Sequence, residues 1–289
     1  MTTPVEYRVP KGRLWWLFFT AVPTVALGWT LMAPSYGWWF PTPALSPMGR
    51  EIDGLFYMIL TVVTIVFFGT NLALCYVLWK FQDRGQESKG WFTHGSHTLE
   101  VIWTIAPAGV LLFISLIQLD VWARYRMTKK FAPEVRYNQI AEVTARQFEW
   151  RIRYPHPSRV FKSDADVQNW LKERKPDDVY AVNDLHVPSG RDVVIYLRTE
   201  DVLHSFYIPD LRVKQDAVPG FSIEVQFHAD KSGQYELVCA ELCGWGHYKM
   251  KGRVTAEPLA DYQAHVQRLS DAQNDDGVPD EPAAETASR

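Results

Sequence analysis

Hydrophobic and polar positions along this chain fall into two regimes that meet near Trp122. Upstream lie long uncharged apolar runs; downstream lie short alternating runs broken by turn residues and charges. No charge interrupts the stretch from Gly54 to Trp79, which opens Leu55-Phe-Tyr-Met-Ile-Leu-Thr-Val-Val. As a helix it is long enough for the roughly 30 Å of a bilayer's hydrocarbon. A second uncharged run follows Glu100, from Val101 to Leu119, closed by Asp120 with Trp122 as an interfacial aromatic. A helix in a soluble core would keep a polar face, and neither run has one. A third apolar stretch, Leu14 to Ala33, sits behind Arg8, Lys11 and Arg13 and reads either as a signal peptide or as a retained helix. Downstream, 139–154, 192–198 and 222–228 alternate apolar with polar and predict strands of a sandwich or barrel.

Averages hide this division. With a net charge of −3 and a slightly negative mean hydropathy, the whole chain would pass for a soluble protein of one or two domains. Charge placement adds a topology. Lys80, Arg84 and Lys89 between the two long runs, like the basic N-terminus, belong on the cytoplasmic side, so the region after Trp122 faces outward. Residues 155–178 are a polar insertion, read as a solvated excursion with a short surface helix over 167–174. Ser270 to Arg289 carries six acids against one base with Pro279 and Pro282, and reads as a disordered tail.

The candidate chemistry is concentrated in Cys239-Ala-Glu-Leu-Cys-Gly-Trp-Gly-His-Tyr-Lys-Met250. Two thiols, an imidazole and a thioether at steps of four, four and three suit copper, because soft sulfur donors favour it and zinc sites rarely recruit a thioether. Gly244 and Gly246 favour a loop over a helix. Two cysteines could bridge two metals, which would require a second histidine; His204, in the segment 201–209 that follows the alternating run 192–199, is the best candidate. Each residue also has an ordinary reading: a disulfide, satisfied core histidines, a packing methionine.

The blocks Asp201-Val-Leu-His-Ser-Phe-Tyr-Ile-Pro-Asp-Leu-Arg-Val-Lys-Gln-Asp-Ala-Val-Pro-Gly220 and 239–250 together resemble subunit II of haem–copper cytochrome c oxidases. The resemblance implies a membrane helical hairpin, with two or three transmembrane helices in all, followed by an all-β cupredoxin-like domain. It further implies a binuclear copper centre, CuA, with His204 and His247 each on one copper, Cys239 and Cys243 bridging, and Met250 and the Glu241 carbonyl axial. The Glu241 side chain would reach a magnesium ion shared with subunit I. Trp150, Asp201, Lys214 and Asp216 would lie around the copper or on the electron route, though Trp150 also reads as core and Lys214 with Asp216 as a surface pair. Glu100 would mark proton uptake toward subunit I, although an acid opening a helix is favourable on dipole grounds alone. Partners implied are the haem-bearing subunit I and other oxidase subunits, cytochrome c or another small extracytoplasmic donor, and the lipid bilayer.

The domains expected are a leader or extra helix over 1–54, the hairpin over 55–123, the copper domain over 124–257 with its 155–178 insertion, and a C-terminal extension over 258–289. The membrane is a bacterial-type plasma membrane or its organellar equivalent, with the copper domain outside. No CxxCH occurs, so no haem is bound by this chain and an external donor must supply electrons. Phe148 stands where many relatives carry an electron-accepting tryptophan, and Phe221 where they often have arginine. Three rivals are weighed. A quinol oxidase subunit typically lacks the copper ligands, nitrous oxide reductase lacks the hairpin, and a membrane-anchored copper carrier or sensor would bind metal without electron transfer.

Overall fold

The computed structural model describes residues 15–38, 43–81, 94–127, 131, 132, 135 and 139–276. Arg8, Lys11, Arg13, Arg84, Lys89 and the 277–289 part of the tail lie outside the described residues. The chain divides into two units, Met1–Pro43 with Gly54–Ile117, and Ala44–Asp53 with Gln118–Arg289.

The first unit takes in α1 (Trp15–Met32) and most of α2 (Pro47–Lys80) and α3 (His97–Arg126). All three carry segments long and apolar enough to cross a membrane, and the most apolar windows of α2 and α3 bury nothing against protein. Helices that are apolar all round and unpacked are at home in lipid, where intrahelical bonds satisfy the backbone.

The second unit is a sandwich of two five-stranded sheets, in the orders β3-β2-β1-β5-β8 and β4-β10-β9-β6-β7. The strands are β1 (Gln139–Arg146), β2 (Glu149–Tyr154), β3 (Val179–Val182), β4 (Asp184–Pro188), β5 (Asp192–Thr199), β6 (His204–Ile208), β7 (Val213–Ala217), β8 (Ile223–His228), β9 (Gly233–Cys239) and β10 (Lys251–Glu257). Pairing is antiparallel except between β1 and β5 and between β4 and β10. The alternating run at 139–154 is therefore two strands, a hairpin turning at Gln147 and Phe148. Side chains on the inner faces, among them Ile152, Leu185, Ile195, Leu197, Phe206 and Leu237, form one core.

Three differences from the sequence reading matter. First, Ala44–Asp53, assigned above to the N-terminal segment, is built into the sandwich unit. Met48 enters its core, Ser46 donates to the Leu211 carbonyl at 2.7 Å, and Arg212 pairs with Asp53 at 3.0 Å. Second, the insertion is a packed layer rather than a solvated excursion. Its helix α4 (Asp164–Lys172), N-capped by Ser163, buries Val167, Trp170 and Leu171 with Phe161 against Tyr196 of β5. Beneath it Arg153 meets Glu142 and Asp178, each at 2.7 Å, and stacks on Trp170. Third, Ser270–Asp276 is not tail but the last part of α5 (Leu259–Asp276). Tyr262, Val266 and Leu269 recur at helical spacing and pack on the core, and Gln273 hydrogen-bonds the backbone of Tyr180 at the edge of β3.

Candidate metal centre

The candidate ligands are mounted by strand pairing. β6 pairs with β9 so that Phe206 lies opposite Cys239, which places His204, at the head of β6, beside the end of β9. The loop after Cys239 runs to Met250 and returns directly into β10. Its ends are tied by Cys239 N–H to the Met250 carbonyl at 3.1 Å, and it is tied to β6 by Ala240 N–H to the Ser205 carbonyl at 3.0 Å. Gly244 sits at φ +130, where any side chain would be strained. Gly246 is needed for another reason: a Cβ there would meet the Phe148 ring at 2.4 Å. Phe148, half-buried, thus seals the loop from the β1–β2 turn, with Trp245 edge-on to it at 5.2 Å. Gln147 of the same turn donates to the Cys243 carbonyl at 2.5 Å.

The donor atoms converge. Cys239 Sγ lies 3.8 Å from both His204 Nδ1 and Cys243 Sγ. Cys243 Sγ lies 3.6 Å from His247 Nδ1 and 3.9 Å from Met250 Sδ, and Cys239 Sγ donates to the Glu241 carbonyl at 3.2 Å. Both cysteines are free; a disulfide would need sulfurs about 2.05 Å apart. His204 is fully buried and Met250 nearly so, at 0% and 1% exposure.

Electrostatics separate the two thiols. Burial pushes Cys239 up, but hydrogen bonds from His204 and nearby backbone outweigh it and bring the thiol down to about 6. Burial, then the charge on Cys239, pushes Cys243 up to about 12. Adjacent thiolates repel, so the pair holds one negative charge unless cations compensate the second. His204 is lowered by burial, yet its bonds to Cys239 and Asp201 more than offset that and raise it. Two imidazoles, two thiols, a thioether and a carbonyl around one point form a donor set that fits copper.

Around them, Asp201 Oδ1 lies 2.8 Å from His204 Nε2, while its carboxylate also accepts the N–H groups of Gln147 at 2.8 Å and Val202 at 2.7 Å. Those bonds hold the Asp201 carboxyl below its usual range against the opposing effect of burial. Trp150 is buried, its ring 6.4 Å from that of His204. Asp216, opposite Ser205 across β6–β7, accepts from the Ser205 hydroxyl at 2.7 Å and from Lys214 at 2.9 Å. Glu100 belongs to the other unit, in the first turn of α3, 3.8 Å from His97. Gln147 had no sequence signal as part of the site; it arrives through a turn distant in sequence.

Two family models match the chain: "Cytochrome C oxidase subunit II, periplasmic domain" over residues 140–256 and "Cytochrome C oxidase subunit II, transmembrane domain" over 33–121. The alternative cytochrome c oxidase subunit 2 of Bradyrhizobium diazoefficiens is 30% identical over 257 residues, covering 84% of this chain and 88% of that protein. The chain belongs to the cytochrome c oxidase subunit II family. Cytochrome c oxidase subunit 2 of Cereibacter sphaeroides is likewise 30% identical, over 226 residues covering 72% of each. A crystal structure of the periplasmic domain of subunit II of cytochrome oxidase (CoxB) of Bradyrhizobium japonicum aligns with 46% of this chain and 94% of its own at 25% identity, with a TM-score of 0.37. This chain is thus a membrane-integral subunit of an oxidoreductase, cytochrome c oxidase, with a cupredoxin-like domain after its apolar helices.

Proposed function

We propose that this subunit receives electrons for the oxidase. A binuclear CuA pair would be held by His204, Cys239, the Glu241 carbonyl, Cys243, His247 and Met250. Bound there, copper would supply a one-electron relay whose structural change on reduction is spread over both metals. The observation that carries this reading is the pair of thiols 3.8 Å apart with an imidazole Nδ1 facing each. Zinc could take the two thiols and two imidazoles, but it would not call for the thioether, and Met250 Sδ lies 3.9 Å from Cys243 Sγ.

The chain's own residues do the rest. Asp201 fixes the tautomer of His204, in the manner of carboxylate–histidine–metal triads. Phe148 covers the loop, Gln147 ties it through the Cys243 carbonyl, and buried Trp150 backs His204. Ser205, Asp216 and Lys214 link the strand bearing His204 to the outer surface, where the electron would leave for the haem of subunit I. The Glu241 carboxylate would serve a magnesium ion shared with subunit I, and Glu100 would take up protons. Electrons would come from cytochrome c or another small carrier on the outer side, and oxygen would be reduced to water in subunit I with proton translocation.

Rapid mixing of the assembled oxidase with reduced c-type cytochrome tests this. The copper band should bleach before haem is reduced, and Cys243→Ser should abolish haem reduction by the cytochrome. Haem reduction at the normal rate in that variant would contradict the proposal. Glu100→Gln should slow turnover with the copper spectrum unchanged; normal turnover would remove Glu100 from the scheme.

A further inference from the structure

A second cluster of ligand-type side chains lies in the sandwich unit on the face that α5 covers. The parallel pairing of β4 with β10 sets His186 beside Thr255 and Pro188 beside Glu257. Residues two apart on a strand share a face, so His186 and Glu257 project together. Onto this face α5 brings His265, three residues after Tyr262 and so on the same packed stripe. Donor atoms of His186, Glu257 and His265 all lie within 4.8 Å of one another. His186 Nδ1 is 2.8 Å from Glu257 Oε1, and its Nε2 is 3.5 Å from Asp184, which Arg253 engages at 2.8 Å. The two imidazoles lie face to face, centroids 3.5 Å apart and planes 7° apart.

Apolar side chains hold α5 to the sandwich through Tyr262, Val266 and Leu269, and beside them the seam carries this polar trio. Ring quadrupoles favour offset or edge-on pairs over this sandwich, so aromatic attraction does not account for it. We propose that His186, Glu257 and His265 form a metal site, separate from the copper loop, for a divalent first-row ion such as zinc, which clamps α5 to the sandwich. Two nitrogens and a carboxylate suit zinc or its neighbours, whereas calcium and magnesium prefer all-oxygen shells and copper(I) prefers sulfur. Two zinc–nitrogen bonds of about 2.0–2.1 Å at a tetrahedral angle set the nitrogens about 3.3 Å apart, within the 4.8 Å that spans the donor atoms. His265, half-exposed on its helix, is the ring that turns out of the stack to aim its lone pair at the ion.

The test uses the full chain in detergent, copper-loaded, dialysed against micromolar zinc, with both metals counted. One zinc per chain is expected. His265→Gln and Glu257→Gln should weaken its retention by about tenfold or more while the copper spectrum stays intact. Cys239→Ser should keep the zinc. Zinc absorption spectroscopy should show imidazole and oxygen without sulfur, and zinc should slow proteolysis within α5 in the unaltered chain but not in His265→Gln. Failure to hold zinc, equal retention in His265→Gln, or sulfur in the zinc shell would overturn the proposal. None of these results depends on the electron-transfer role of the copper loop.

Discussion

Replacing Asp201 with asparagine removes one oxygen from a group both of whose oxygens are in use. Oδ1 lies 2.8 Å from His204 Nε2 and accepts Val202 N–H, while Oδ2 accepts Gln147 N–H. If the new amide points its NH₂ at Gln147, two donors face each other. If it points at His204, the imidazole must accept at Nε2 and carry its proton on Nδ1, the atom 3.8 Å from Cys239 Sγ that the metal requires. The first arrangement breaks the bond to the exposed Gln147 N–H, at a cost of about 0.5–1.5 kcal/mol in the metal-free protein. The second removes a ligand lone pair, and loss of such a supporting carboxylate weakens metal binding by about 10–100-fold, or roughly 1.4–2.7 kcal/mol. Asp201→Ala, which imposes no tautomer, should weaken binding less than Asp201→Asn. Copper withdrawal by a chelator of known affinity, followed by visible absorption on the full chain, measures this. Asparagine binding copper as tightly as aspartate would refute the assigned orientation of His204.

Gly246→Ala should displace the loop or Phe148 and weaken copper binding, and adding Phe148→Ala should restore much of it, since the clash is with that ring; the same chelator titration decides. Arg153→Met leaves Glu142 and Asp178 buried, each with a single, more exposed arginine partner. It should cost about 3–5 kcal/mol in denaturant unfolding, and a loss under 1 kcal/mol would show that the partial pairs suffice. Metal loading must strip the thiols, so copper affinity should rise with pH. With Cys239 at about 6 and Cys243 at about 12, chiefly the Cys243 proton is released between those values, giving about tenfold per pH unit. In the lower part of that window the proton of His204, raised above its usual value, joins, and below it that of Cys239, so the slope should steepen toward acid; a flat profile through neutral pH would rule out the raised Cys243.

The metal loop was legible because its donors are contiguous and their types are chemically selective. His204 was legible because it follows a clear alternating strand, though that it opens a further strand, β6, was not, and α2 and α3 were legible because a charge-free run of that length has few other uses. What escaped depends on contacts remote in sequence. Gln147 and Phe148 reach the loop only because β1 and β2 form a hairpin, and Arg212 with Asp53 joins positions far apart along the chain. The insertion looked solvated because its charges are visible in sequence and their partners are not: its Asp178 is buried against Arg153 of β2, which also meets Glu142 of β1 under Trp170. In α5 the stripe Leu259, Tyr262, Val266 and Leu269 was present, but the acids that follow drew the boundary too early.

The most direct test of the central claim is an electron paramagnetic resonance spectrum of the full chain loaded with copper, the metal counted per chain. The full chain is required because Ala44–Asp53 belongs to the same compact unit as the copper loop. One electron shared equally between two copper nuclei gives seven hyperfine lines, accompanied by two coppers per chain and lost in Cys243→Ser. A four-line spectrum from a single copper, or zinc taken up at the loop in its place, would contradict the account.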